Sequence, residues 1–231
     1  MTTPPAIEAV AVSRGFGARW ALAGVNLGVA GGSSLLLAGH NGAGKTTLLR
    51  ILAGLLRPTA GSVRICGVDP AQDLMAARRD VALVAHQGQH YLELSALENL
   101  LITAQLLGTS APADAALAAL ERVGLADRAT DVVRTFSAGM KKRLTFARVL
   151  LQQPRVVLLD EPWGQLDPAG FRFVDGLLAE MTDAGRAVIV ASHLVDRAGD
   201  VLEHGLVLDG GVPQWVGPAK DLATEMRKTQ P

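Results

Sequence analysis

Gly39-His-Asn-Gly-Ala-Gly-Lys45-Thr46-Thr47 is the stretch that decides the fold of this 231-residue chain. It matches the pattern G-x-x-x-x-G-K-[ST], in which the glycines let the backbone curl tightly. The apolar run 34–38 before it predicts a buried strand, and the apolar-periodic stretch 47–56 after it predicts a helix. A strand, a glycine-rich turn and a helix in this order are typical of an α/β fold with a parallel sheet.

A loop of this kind is built to bind phosphate groups. Its curled backbone points several N–H groups at one centre, and the helix that follows adds its own unpaired N–H groups and positive dipole end. Lys45 supplies a charge for the β- and γ-phosphates, and Thr46 a hydroxyl for Mg²⁺. The alternative is a glycine-rich turn without a ligand. The predicted nucleotide-binding residues of the loop are Gly39, Asn41, Gly42, Ala43, Gly44, Lys45, Thr46 and Thr47.

Composition narrows the classes of function. Lys and Arg together (22) equal Asp and Glu together (22), so the chain lacks the positive charge that favours nucleic-acid binding, and no nucleic-acid partner is expected. The single cysteine, Cys66, excludes an internal disulfide and a cysteine-based zinc site. The first residues do not have the pattern of a signal peptide, and no apolar run reaches the roughly 18 residues that span a bilayer. A role at a membrane would therefore act through another chain.

Strand-like and helix-like patterns alternate along the chain, which favours a parallel sheet. Short apolar or alternating runs predict strands at 7–12, 22–29, 61–67, 81–85, 156–159, 187–191, 206–208 and 212–216. The first two strands are expected to flank a turn over 13–18, and the last two to form a terminal hairpin around Gly210-Gly211. Helical patterns occupy 92 to about 134 and 140–153, and a short helix or a frayed end is expected after Lys220. We expect a single domain over 1–231, with a helical subdomain inserted at approximately 88–143.

A second set of polar residues follows the apolar run Val156-Val-Leu-Leu-Asp160-Glu161. In a parallel sheet, ligands lie at the carboxyl ends of the strands. Asp160 is placed to hold Mg²⁺ or its water, and Glu161 to take a proton from an attacking water. The alternative is an acidic helix cap, which is common after a strand.

Together these motifs resemble the nucleotide-binding subunit of an ABC transporter, and the resemblance covers nearly the whole chain. The segment 135–143, Thr-Phe-Ser-Ala-Gly-Met-Lys-Lys-Arg, lies where that family has its Leu-Ser-Gly-Gly-Gln signature. Ser137 and Gly139 match the signature, whereas Phe136, Ala138 and Met140 depart from it. The resemblance implies that Ser137 and Gly139 contact the γ-phosphate of ATP held by an opposite subunit. Ser137 is also a good N-cap for a helix that begins near Ala138.

The resemblance also assigns roles to single residues. Gln87 is similar to the glutamine that touches Mg²⁺ and the attacking water, and His193 to the histidine that contacts the γ-phosphate. Phe16 is similar to the aromatic that stacks on adenine, with Trp20 as its rival; either could instead pack in a small β-subdomain. The segment 164–167, Gly-Gln-Leu-Asp, resembles the loop that meets its twin across the dimer.

The implied fold is a RecA-like phosphate-loop NTPase core with an N-terminal antiparallel β-subdomain and an inserted helical subdomain. The implied activity is ATP hydrolysis with Mg²⁺ by two copies, or a pair of cassettes, that close around ATP. They would drive an integral membrane subunit docked near 87–97, on the inner face of the cell membrane. A soluble ABC ATPase acting on DNA or ribosomes is the alternative, and a phosphate-loop kinase or GTPase is disfavoured by the order of the motifs.

Only short stretches of the sequence bear on which cargo is transported. Three stretches are similar to the ATPase of the cytochrome c maturation (heme export) system: Gly39-His-Asn-Gly, Ala85-His-Gln87 and Leu94-Ser-Ala-Leu-Glu-Asn-Leu100. A generic exporter of drugs, lipids or polysaccharide is the alternative. His40, His86 and His90 lie in loops that the other motifs explain, so direct metal or heme ligation by them is not expected.

Overall fold

The computed structural model describes residues 5–85, 89–110 and 112–228. In chain order they form β1 (Ile7–Phe16), β2 (Arg19–Val29), β3 (Ser34–Ala38), α1 (Lys45–Leu52), β4 (Ala60–Ile65), α2 (Leu74–Arg79), β5 (Val81–Val84), α3 (Ala96–Leu106), α4 (Pro112–Arg122), α5 (Ala138–Gln152), β6 (Val156–Asp160), α6 (Pro168–Asp183), β7 (Ala187–Ala191), α7 (Val195–Val201), β8 (His204–Asp209), β9 (Val212–Pro218) and α8 (Leu222–Lys228). The chain falls into two compact units. The first contains residues up to 83, 155–162 and from 174 onward, and the second contains 84–154 and 163–173.

The first unit holds an antiparallel sheet in the order β2-β1-β4. Ile7, Ala9 and Val12 of β1 are buried between more exposed neighbours, the pattern of a strand with one face in the core. The sequence predicted a turn over 13–18, but β1 and β2 stay paired until Phe16 meets Arg19. The turn is shorter because Gly17, with φ of 58°, lets the chain reverse in two residues. Phe16 therefore lies on a strand and not in a loop.

The second sheet of this unit forms the parallel core, in the order β5-β6-β7-β3-β8-β9. Strands β3, β6 and β7 are buried at every position, as expected for strands covered on both faces. Strand β3 pairs in parallel with β7 and β8, and β6 pairs in parallel with β7. The predicted terminal hairpin is present as antiparallel β8 and β9. The α/β class with a parallel core and an N-terminal antiparallel sheet is confirmed.

The second unit is helical. The stretch predicted as helical from 92 to about 134 contains α3, α4 and two short 3₁₀ segments, because Gly108 and Gly124 adopt φ of 70° and 69° and end the helices. Helix α3 begins with a capping box: Glu98 N–H donates to Ser95 Oγ (3.2 Å), and Ser95 N–H donates to Glu98 Oε2 (2.7 Å). The buried apolar side chains of this unit include Leu100, Leu120, Val133, Phe136, Leu144 and Phe146.

Candidate functional site

The glycine-rich loop lies between β3 and α1, as its sequence predicts. Gly39, Gly42 and Gly44 all adopt positive φ (145°, 84° and 103°). Two of them also have no room for a side chain. A Cβ on Gly39 would lie 2.2 Å from Leu208 O, and one on Gly44 would lie 2.6 Å from Ala21 O. The fold thus demands glycine at both ends of the loop, independently of any ligand.

A residue outside the motif fixes the loop in place. Gly211, in the turn between β8 and β9, donates its N–H to Ala43 O (3.1 Å) and accepts from Ala23 N–H (2.9 Å). A Cβ on Gly211 would lie 2.4 Å from Ala21 O, so only glycine allows this close approach. One glycine therefore joins the loop to β2. Sequence reasoning identified Gly211 only as a hairpin residue.

Lys45 is the first residue of α1 and is buried. Its Nζ donates to Gly39 O (2.6 Å) and His40 O (3.1 Å), so the side chain folds back along the loop. An ammonium group has three N–H donors, and the third remains for a phosphate oxygen. Burial lowers the pKa of Lys45, while the nearby charges of Glu161 and Asp160 act in the opposite direction. The other predicted loop residues, Asn41, Thr46 and Thr47, are exposed or half-buried.

Thr46 and Asp160 meet although they are far apart in sequence. Thr46 Oγ1 donates to Asp160 Oδ2 at 2.8 Å, which joins the first turn of α1 to the end of β6. An alcohol oxygen and a carboxylate oxygen side by side are hard ligands of the type that Mg²⁺ prefers, with water and phosphate completing its shell. The two residues therefore fit the predicted magnesium ion.

Glu161 follows β6 and is held against the end of β7. Its backbone adopts φ of 51°, an unfavourable conformation for a residue other than glycine. Its N–H donates to Ala191 O (2.9 Å), which places it beside Ser192 and His193. The carboxylate accepts from Ser192 Oγ (3.0 Å) and His193 N–H (3.0 Å), and its Oε2 lies 2.9 Å from His193 Nδ1. Two predicted catalytic residues are thus in direct contact.

This contact places a hydrogen on one nitrogen of the His193 ring. A carboxylate without a proton can only accept, so Nδ1 carries a hydrogen and Nε2 is the ring nitrogen left for another partner. Ser192 was missed by sequence reasoning. It is fully buried and also accepts from Leu194 N–H (3.1 Å), so its hydroxyl holds both the carboxylate and the start of the next segment. The available signal was a small hydroxyl residue directly before His193.

Strand register does not separate Phe16 from Trp20. Phe16 pairs with Arg19 and Trp20 with Gly15, and an irregularity lies between the Arg14–Leu22 and Gly15–Trp20 pairs, so the alternation of faces cannot be carried across it. The Trp20 ring lies 3.6 Å from a Cβ added to Gly15, whereas the ring of Phe16 lies under the guanidinium of Arg14. Phe16 as the aromatic that stacks on adenine, with Trp20 as its rival, stays a prediction.

The signature residues lie in the second unit. Ser137 is the N-cap of α5, and its Oγ accepts from Met140 N–H (3.2 Å), as its sequence position predicts. Phe136, which departs from the family pattern, is buried. A Cβ on Gly139 would lie no closer than 3.6 Å to another atom, so this glycine is not required by packing within the chain. The 164–167 segment approaches this glycine through Leu166, whose Cδ2 is the atom 3.6 Å from the added Cβ, and Asp167 Oδ1 of the same segment accepts from Gly170 N–H (2.7 Å).

Gln87 and His86 lie outside the described residues. His90 has its own partners in the second unit: its Nε2 lies 3.0 Å from both Lys141 O and Thr145 Oγ1. Burial lowers the pKa of His90. Within residues 5–85, 89–110 and 112–228, no group of three or more His, Cys, Asp or Glu side chains is arranged to hold a metal. None of the helices in these ranges combines the length and apolarity needed to cross a bilayer.

Comparison with known proteins agrees with this geometry. Residues 22–164 match the family model described as ABC transporter. The daunorubicin resistance ATP-binding protein of Streptomyces coeruleorubidus is 34% identical over 95% of this chain and 70% of its own length. A lipoprotein-releasing system ATP-binding protein of Rhodopirellula baltica is 39% identical over 83% of this chain and 87% of its own.

Two solved structures extend the comparison. The ATP-binding subunit of an ABC transporter superposes with a TM-score of 0.87 at 26% identity, covering 97% of this chain and 94% of that one. A dimeric ATP-binding cassette in a post-hydrolysis state with ADP and Pi superposes with a TM-score of 0.83 at 26% identity, covering 92% and 98%. The chain belongs to the ATP-binding subunits of the ABC transporter family and is an ATPase.

Proposed function

We propose that the chain binds ATP with Mg²⁺ at the glycine-rich loop and hydrolyses it with Glu161 as the general base. The observation that carries this proposal is the meeting of Thr46 Oγ1 and Asp160 Oδ2 at 2.8 Å, beside a loop in which Lys45 is already folded back. Thr46 and Asp160, with Gln87, would hold the ion. Mg²⁺, when bound, neutralises charge on the β- and γ-phosphate oxygens.

In the proposed reaction a water oxygen attacks the γ-phosphorus. The bond between the γ-phosphorus and the β,γ-bridging oxygen breaks, and ADP and phosphate are the products. Glu161 accepts the proton of the water, while Ser192 and His193 keep its carboxylate in one orientation. A γ-phosphate oxygen accepts hydrogen bonds, so His193 Nε2 would contact it as a donor, which requires both ring nitrogens to carry hydrogens.

The site would be completed by a second copy of the chain. Ser137 lies exposed at the start of α5, where unpaired N–H groups favour an anion. Gly139 supports the same interpretation, because its added Cβ would make only ordinary contacts of 3.6 Å or more, so packing within the chain does not explain a glycine there. Two copies related by a two-fold axis would form two equivalent ATP sites. The dimeric cassette with ADP and Pi supports this arrangement by similarity.

We propose that the dimer drives an integral membrane subunit from the inner face of the membrane. Tyr91 and Leu92 lie within the predicted docking region 87–97 and are 60% and 47% exposed, as apolar residues covered by a partner would be. Residues 1–231 would act as one ATPase domain, with the helical part near 88–143 carrying this contact. Copurification of a membrane protein with the tagged chain would test the assignment.

The cargo is open between two proposals. The short runs similar to the cytochrome c maturation ATPase favour heme. The relatives named above concern daunorubicin resistance and lipoprotein release, and these favour a generic exporter. Identification of the membrane subunit would decide, since the cargo site would lie on that chain.

The nucleotide site itself is tested by Lys45→Ala. The variant removes the charge at the loop, and we expect ATP affinity to fall by at least tenfold in an equilibrium binding assay. Lys220→Ala is the matched control, because Lys220 is exposed and the charge change is the same. Unchanged ATP affinity in Lys45→Ala would contradict the assignment.

A further inference from the structure

Arg14 lies directly against the ring of Phe16. Its Cζ is 4.6 Å from the ring centroid, within the range of a cation–π contact. The two residues lie two positions apart on β1. Phe16 is 50% exposed. One face of the ring is therefore covered by a guanidinium group, and half of the residue's surface remains exposed.

The guanidinium is held in this position. Nη1 donates to Arg57 O at 3.0 Å, in the segment that follows α1. Nε is buried and, among the described residues, has no hydrogen-bond partner. A buried donor left unpaired is unfavourable, so stacking on the ring must contribute to holding the group there.

The same segment holds the backbone around Arg14. Thr59 N–H donates to Ser13 O (2.8 Å), and Gly15 N–H donates to Thr59 Oγ1 (3.1 Å). With the contact from Arg14 to Arg57, three hydrogen bonds join the end of β1 to residues 57–59. These residues follow the C-terminal end of α1, the helix whose first residue is Lys45.

We propose that Arg14 is a positioning residue for the nucleotide base: its guanidinium occupies one face of Phe16, fixes the ring, and leaves the opposite face for a purine to stack on. The inference rests on the proposed function, in which Phe16 is the base-stacking residue. Arg14 would not touch the nucleotide. Its removal would free the ring to change rotamer, and ordering that ring would then oppose binding of the base.

The expected effect is modest and specific for the base. Loss of a partly exposed cation–π contact corresponds to a roughly two- to fivefold weaker Kd for ATP. Tripolyphosphate has no base, so its Kd should be unchanged in Arg14→Ala. A general loss of folding, or a direct role of Arg14 in phosphate binding, would weaken both ligands.

The experiment measures Kd for ATP and for tripolyphosphate, with Mg²⁺, in the full chain carrying Arg14→Ala, Phe16→Ala or both. We expect each single variant to weaken ATP only, and the double variant to match Phe16→Ala, because Arg14 acts through the ring. Arg64→Ala, an exposed arginine of the same sheet whose strand partner is Glu8, is the control. If Arg14→Ala fails to fold, Arg14→Lys replaces it, since it keeps the charge without the planar group.

Four results would overturn the inference. ATP affinity unchanged in Arg14→Ala, with Phe16→Ala still impaired, would remove Arg14 and leave the base site intact. Equal weakening of ATP and tripolyphosphate, or additive effects in the double variant, would show that Arg14 does not act through Phe16. If Phe16→Ala leaves ATP affinity unchanged, Phe16 is not the base-stacking residue either. Binding of tripolyphosphate tests the phosphate site separately.

Discussion

Glu161→Gln tests whether Glu161 is the general base while changing the shape of the site very little, because glutamine and glutamate have nearly the same size. The carboxylate accepts at least three contacts: Oε1 from His193 N–H, and Oε2 from Ser192 Oγ and His193 Nδ1. A glutamine can keep its oxygen on His193 N–H. Its NH₂ group then faces a hydroxyl and a ring nitrogen that can both act as acceptors, by rotation of the hydroxyl and by a change of tautomer.

The two expected effects differ in size. Exchanging contacts to a charged group for contacts to a neutral one should lower the free energy of unfolding by about 1–2 kcal/mol. An amide cannot accept the proton of the attacking water, so turnover should fall by roughly 10²–10⁴. That range corresponds to about 3–5 kcal/mol of activation free energy. The catalytic loss should therefore clearly exceed the loss of stability.

Phosphate release at saturating ATP and Mg²⁺ measures the loss of turnover, and urea unfolding measures the loss of stability. Glu203→Gln is the matched control, because Glu203 Oε1 lies 3.4 Å from His204 Nε2 in an exposed Glu–His pair. We expect the control to retain normal turnover, and Glu161→Gln to retain ATP binding. Turnover of Glu161→Gln within about threefold of the unmodified chain would refute the role of Glu161 as the base.

Three further changes test other parts of the site. Ser192→Ala removes a buried donor to Glu161 and the acceptor of Leu194 N–H, so we expect about tenfold slower phosphate release and a loss of about 1–2 kcal/mol in the free energy of unfolding measured with urea. Normal turnover would show that Ser192 does not position the carboxylate. Gly44→Ala would place a Cβ 2.6 Å from Ala21 O at a residue whose φ is 103°. It should therefore lower thermal stability more than Gly42→Ala, because Gly42 has a φ of 84° but open space around it. Equal losses of stability would argue against the steric requirement at Gly44. Ser137→Arg should abolish ATP-dependent dimers in light scattering while costing the monomer only about 1 kcal/mol for the lost cap, and dimers that persist would contradict the composite site.

Much of the fold was predictable because its signals are local. The glycine-rich loop, the buried strand before it and the acidic end of β6 each follow from a short stretch of sequence. The N-cap at Ser137 was predicted for the same reason, since a serine directly before a helix accepts from an N–H within the first turn. The hairpin of β8 and β9 was marked by Gly210-Gly211.

What sequence reasoning missed depends on contacts between distant segments. Ser192 gains its importance from Glu161, which is 31 residues away. Gly211 matters because its turn reaches both Ala43 and β2. Helices α2, α6 and α7 were not predicted. In α7 a glycine, Gly199, lies in the interior and weakens the helical signal, while its added Cβ would lie 2.9 Å from Ala219 O, so tertiary packing decides that position.

The most direct test of the account is a crystal structure of the Glu161→Gln variant grown with ATP and Mg²⁺. We predict two copies with ATP at each of two sites, its phosphates between Lys45 of one copy and Ser137 of the other, and its base on the open face of Phe16. A nucleotide enclosed by a single copy, or a glycine-rich loop without phosphate, would contradict the central claim.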